Sequence, residues 1–185
     1  VIKGLLWTGR ALLLIALFSA GIISWRMYHR AAPIAAASRL ERPAPMLPYA
    51  WLNGEPGRLA QDFAGRPVLV HFWATWCESC VRELPRLLPF AHGRIPVIAI
   101  AVDDHPDAVR RFFGGRVPRI VARTAAETAR AFGVDRLPTT FVVDAQGQLR
   151  LQMTGEWDWT QPGMQIQVLA AAGLPLTIPS APARE

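Results

Sequence analysis

With 185 residues, 51% of them hydrophobic and 18% charged, the chain is long enough for one domain with some excess and too apolar for a disordered polyelectrolyte. Of the net charge of +6, +5 falls within residues 1–42, where Lys3, Arg10, Arg26, Arg30, Arg39 and Arg42 face only Glu41. A nucleic-acid-binding fold carries its basic excess on the domain itself, so no nucleic-acid partner is expected.

The first strong feature is an uncharged run from Ala11 to Trp25, which extends back to Gly4 with Arg10 at its edge. As a helix these 22 residues rise about 33 Å, enough to cross a bilayer. Trp25 and Tyr28 beside Arg26 and Arg30 fit an interfacial boundary. A cleaved signal peptide is the competing reading. Small residues suited to cleavage recur only around Ala35 to Ala37, well past the apolar core, so residues 1–30 are expected to form an uncleaved anchor. Residues 31–48 are Ala/Pro-rich and aperiodic, with Pro43, Pro45 and Pro48, and predict an extended spacer. The domain is expected over 49–175, followed by a loose tail over 176–185.

Asn53-Gly54 and Pro56-Gly57 mark a turn between two short strands. From Pro67 onward strands and helices alternate. Val68–Trp73 (VLVHFW) and Pro96–Val102 (PVIAIAV) are continuous apolar runs, as in central strands covered on both faces. Helices are predicted from Cys77 to about Ala91 with Pro85 inside, from Pro106 to Phe113 with Asp103 and Asp104 as capping candidates, from Thr124 to Phe132 before Gly133, and from Gln165 to Ala172. A short strand is predicted at Arg119 to Val121. Thr139–Val143 and Gln148–Met153 read as a hairpin. This order specifies an α/β domain with a mixed central sheet flanked by helices.

The two cysteines sit in Trp76-Cys77-Glu78-Ser79-Cys80, where a buried strand gives way to a helix. They are too few for a multi-bridge scaffold and two ligands short of a four-cysteine zinc site, so no metal is expected. Unpaired N–H groups and the helix dipole at that position favour a thiolate on Cys77. Cys80 lies one turn later on the same face, further from solvent. An exposed attacker with a shielded resolver is what thiol–disulfide exchange requires, and the pair itself would be the redox group, with no separate cofactor.

Phe72–Pro85 (FWATWCESCVRELP), with Gly133–Asp144 (GVDRLPTTFVVD) downstream, resembles the membrane-anchored thioredoxin-like proteins of the TlpA/ResA/CcmG group over about residues 49–172. The resemblance implies a thioredoxin-like fold, a single-pass inner-membrane protein with its domain in the periplasm, and reduction of disulfides in oxidised partner proteins. In many members those partners include apocytochrome c. It further implies a membrane thiol reductase of the CcdA or DsbD kind as electron donor; a monomer is expected. By residue, Cys77 matches the nucleophile, Cys80 the resolving cysteine, and Pro138 the cis-proline facing the pair. The Leu137 backbone would be left free to pair with an extended substrate. Glu83 matches the acid three residues after the second cysteine, placed to relay a proton. Trp76, Leu137, Glu78 and Ser79 are the candidate substrate contacts.

Ser79 replaces a frequent proline, and Glu78 adds a negative charge that favours a more reducing pair. His71, six residues before Cys77, stands where thioredoxin has a buried acid and relatives often have Asn. It is either a neutral histidine held by hydrogen bonds or a proton acceptor for Cys80. Asp103, Asp104 and Asp107 are expected to cap a helix rather than bind metal, and Trp157 and Trp159 to cover the sheet edge. Copper handling on the same fold is the alternative function. It would call for wider cysteine spacing and a downstream histidine, whereas none follows His105. A thiol peroxidase would need Thr where Ala74 stands.

Overall fold

A computed structural model of the chain describes residues 36–176. The expected anchor over 1–30, and the expected tail beyond residue 176, lie outside them. Among the described residues no helix is long and apolar enough to cross a membrane. The strands are β1 (Ala36–Pro43), β2 (Pro48–Trp51), β3 (Pro56–Arg58), β4 (Val68–Trp73), β5 (Val97–Val102), β6 (Val121–Thr124), β7 (Thr139–Val143) and β8 (Gln148–Thr154). The helices are α1 (Leu59–Asp62), α2 (Glu78–Leu87), α3 (Pro106–Phe112), α4 (Ala126–Phe132) and α5 (Pro162–Ala171), with a 3-10 turn at Leu88–His92.

The strands form one mixed sheet in the order β1-β8-β7-β4-β5-β6-β2-β3. Its centre is the parallel pair β4–β5, running from Leu69 opposite Val97 to Trp73 opposite Ala101. Every residue of both strands is buried, because helices cover the sheet on its two faces. Side chains alternate between them. Leu69, Trp73, Ala99 and Ala101 pack with residues of α2, α3 and α5, while Val70, Phe72, Ile98 and Ile100 pack with α1 and α4. Burial along α2 falls on Cys80, Glu83, Leu84 and Leu87, one helical face. The cysteine-bearing helix is therefore fastened to the centre of the sheet.

Three expectations change. The spacer expected over 31–48 contains β1, which pairs antiparallel with β8 from Ala36 opposite Thr154 to Pro43 opposite Gln148, with an irregularity between Arg39 and Arg42. It also contains the start of β2. β1 buries no side chain fully: main-chain pairing holds it, with Leu40 packed partly on the core and Arg42 Nη2 donating to the Phe132 carbonyl at 3.5 Å, so no apolar alternation betrays it. Asp103 and Asp104 do not cap α3. His105 does, its Nδ1 accepting from the Asp107 N–H at 3.3 Å. The short strand lies at Val121–Thr124, so α4 starts at Ala126 rather than Thr124.

Candidate active site

The turn after β4 delivers the cysteine pair. Cys77 is the N-cap of α2, with extended backbone, and its Sγ accepts the Cys80 N–H at 3.3 Å. One of the amides that a helix start leaves unpaired is thus aimed at the sulfur. The two residues form a disulfide with Cα atoms 5.2 Å apart. Cys77 keeps 9% of its surface and Cys80 none, so a bulky partner can approach only the first sulfur.

Beside Cys77 runs a groove of about 550 Å³ that also meets Trp76, Val102, Ala129, Val134 and Leu137. Trp76 is exposed and Leu137 half-buried. The Leu137–Pro138 bond is cis. Thr139 Oγ1 donates to the Arg136 carbonyl at 2.9 Å, and the Pro138 carbonyl accepts from the Gly155 N–H at 2.9 Å, so this segment is tied on both sides. Trp76, Cys77 and Leu137 thus share one surface. Glu78 and Ser79 do not line the groove. The Glu78 side chain is 92% exposed and pairs with Arg82 at 2.6 Å, which spreads its charge into water and onto the guanidinium. Ser79 Oγ lies 3.5 Å from Cys77 Sγ.

Glu83 is fully buried. Its Oε1 accepts from Trp159 Nε1 at 2.5 Å, and Oε2 has no hydrogen-bond partner. Burial pushes this carboxyl up to about 8 against the Trp159 indole and the nearby Trp157 amide, which pull it down; Glu156 adds a smaller push and Arg86 a smaller pull. Glu83 is therefore an uncharged acid at neutral pH. The segment expected to cover the sheet edge instead closes over α2. Glu156 pairs with Arg82 at 2.8 Å and Arg86 at 2.9 Å, while Trp159 reaches Glu83.

His71 faces the α2 side of the sheet, between Leu69 and Trp73 in the alternation and opposite Thr140. It is fully buried, with Nδ1 2.8 Å from Thr140 Oγ1 and Nε2 unpartnered. Burial alone drives its pKa down to about 3, so the ring is neutral.

Asp104 was not legible as a site residue. It is buried, and its carboxylate accepts from the Thr75 N–H and the Thr75 hydroxyl, each at 2.7 Å. A signal did exist: His105-Pro106 already supplies an N-cap and a first-turn proline, leaving both aspartates over. Asp107 pairs with Arg110 at 2.9 Å. Among the described residues no three His, Cys, Asp or Glu side chains converge on a point where a metal ion could sit.

A thioredoxin-like α/β sheet carrying a C-x-x-C disulfide at a helix start, next to a cis-proline, defines a thiol-redox class of protein. Residues 35–165 match the Redoxin family model, and the chain belongs to that family. It is similar to the thiol-disulfide oxidoreductase ResA of Geobacillus thermodenitrificans, 34% identical over 111 residues that cover 56% of this chain and 63% of the relative. It is 27% identical over 150 residues to ResA of Bacillus cereus, covering 77% of this chain and 86% of the relative. Among solved structures, a thiol:disulfide interchange protein of the thioredoxin family from Chlorobium tepidum superposes with a TM-score of 0.56 at 25% identity, covering 73% of this chain and 98% of that one. The match to the Geobacillus protein thus spans slightly under two thirds of that protein's length.

Proposed function

We propose that the chain is a thiol–disulfide oxidoreductase that reduces disulfides of extracytoplasmic proteins while tethered by its N-terminal segment. The carrying observation is the asymmetry of the pair: Cys77 opens on the groove and Cys80 is sealed beneath it. In the reduced protein the Cys77 thiolate attacks one sulfur of a substrate disulfide. That S–S bond breaks, a mixed disulfide forms, and the second substrate sulfur leaves as a thiolate and takes a proton. Cys80 then loses its proton and attacks Cys77 Sγ, which releases the first substrate sulfur as a thiol. The substrate gains two electrons and two protons, and the enzyme is left with the Cys77–Cys80 disulfide. A donor dithiol returns both by the same exchange in reverse.

The Leu137 main chain, beside Cys77 in the groove, is suited to pair with an extended substrate segment. The resemblance to ResA-like and CcmG-like proteins supports apocytochrome c as a substrate and a membrane thiol reductase as the donor. The test is a Cys80→Ser variant, which lacks the resolving step and should accumulate mixed disulfides in cells. Cys77→Ala should form none. Absence of adducts with Cys80→Ser, or their survival in Cys77→Ala, would sink this reading.

A further inference from the structure

Two residues before the nucleophile, the chain is fastened to the segment that follows β5. Thr75 gives both its backbone N–H and its hydroxyl to one buried carboxylate, Asp104, across 29 positions of sequence, at 2.7 Å each. The acceptor is placed by an unusual bend. Asp103, the non-glycine residue with positive φ among those described (φ 57°), follows β5, lines the groove with Cys77 and Trp76, and leads directly into Asp104. Asp is one of the few residues that adopt this conformation readily, and such outliers collect where the surrounding structure over-determines them. No cation pairs with Asp104 among the described residues.

We propose that Asp104 is a positioning residue for Cys77: clasped by Thr75, it fixes the turn that presents Trp76 and Cys77 and sets a buried negative charge at the start of that turn that holds the pair toward its reducing side. The inference rests on the thiol–disulfide exchange proposed above. An anion close to a thiolate destabilises it, so the dithiol form is disfavoured relative to the disulfide and gives up its electrons more readily. The other charged groups around Cys77 are poorly placed for this. Glu78 on α2 is solvated and paired with Arg82, and Arg130 on α4 is paired with Glu127 at 3.3 Å. Asp103 after β5, and Asp135 and Arg136 on the loop before Pro138, are exposed and screened by water. Beneath the pair, His71 on β4 is neutral and Glu83 is held as an acid. Asp104 is the buried anion of the set.

The test uses the full chain, following alkylation of Cys77 across pH and equilibration of the pair with glutathione buffers. Asp104→Asn should bring the onset of Cys77 reactivity down by roughly one pH unit. At pH above the wild-type onset it should move the equilibrium toward the reduced pair by about tenfold, about 30 mV for a two-electron couple, and by less below it. Thr75→Val, which leaves the charge and removes the hydroxyl, should slow exchange with a model disulfide, and Thr75→Ser should restore the wild-type rate. A wild-type alkylation profile and equilibrium in Asp104→Asn would overturn the assignment, as would Thr75→Ser no faster than Thr75→Val. Should Asp104→Asn fail to fold, the Thr75 pair reads the same contact from its other side. Alkylation needs no partner, so a wild-type chain that reduces no protein would refute the proposed function and still leave Asp104 decided.

Discussion

A carboxyl group that keeps its proton up to about pH 8 is a better acid than base at neutral pH, and this sets what Glu83 can do. When a donor dithiol opens the Cys77–Cys80 bond, Cys80 leaves as a thiolate in a place water does not reach, and a proton from Glu83 would discharge it. In the other direction the ionised form takes the Cys80 proton, so resolution should quicken as pH rises through about 8. Glu83→Gln is expected to slow both steps by roughly tenfold to a hundredfold and to flatten that pH dependence. Stopped-flow fluorescence, with Trp76 as reporter, checks this; curves parallel to wild type would exclude the role. Linkage gives a second prediction. The Glu83 pKa is raised from its ordinary 4.5, so its contribution to stability is fully present below about 4.5 and lost as pH rises through about 8. The His71 pKa is lowered from 6.5, so its contribution is present above about 6.5 and lost as pH falls through about 3. Urea unfolding across pH should show Glu83→Gln losing the decline between about pH 4.5 and 8 and His71→Asn losing part of the one between about 6.5 and 3. The family resemblance pointed to Glu83 by its place three residues after Cys80. It could not show the burial, because the covering Trp159 comes from 76 residues away. His71 was legible as buried, but which layer it faces depended on the strand register.

Strands and helices with a covered apolar face were legible as elements: β4, β5, the β7–β8 hairpin and α2 all lie close to their predicted spans. β1 was not, because an edge strand of sequence AASRLERP has only Leu40 partly buried and so shows no apolar alternation. The hairpin of β2 and β3 was visible through its turn residues, and it carries a constraint that composition does not express. Gly57 stands opposite Tyr49 in the register, and a Cβ there would overlap the Tyr49 ring. That ring is buried in the core against α1, and its hydroxyl hydrogen-bonds the Asp62 carboxylate at the end of α1. Gly57→Ala should therefore cost about 1–3 kcal/mol, the usual range for overpacking. Denaturant titration measures it, and a midpoint equal to wild type would show that Tyr49 moves aside freely.

For the whole chain, a redox pair on a domain following an apolar segment predicts that the domain lies where disulfides persist. A membrane-impermeant thiol reagent should label reduced Cys77 in intact spheroplasts, and labelling that appears only after lysis would reverse the topology. The position of β1 adds a restriction. Ala36 pairs with Thr154, Thr154 with Thr139, and Thr139 with Phe72, a row across four strands at the end of the sheet where β4 delivers the cysteines. Neighbouring strands are about 4.8 Å apart, so the chain enters the sheet about 15 Å from β4 on the redox end. With β1 held in the sheet, the tethering proposed above, if its anchor ends at residue 30, has five residues between anchor and β1, at most about 18 Å at full stretch, against about 60 Å for all of 31–48. Under that proposal the cysteines work on a short leash, concentrated near membrane-bound partners and kept from more distant ones. Lengthening that leash with Gly and Ser after residue 35 should slow exchange with a membrane-bound dithiol and leave exchange with a soluble one untouched; equal slowing of both would mean the leash sets no such range.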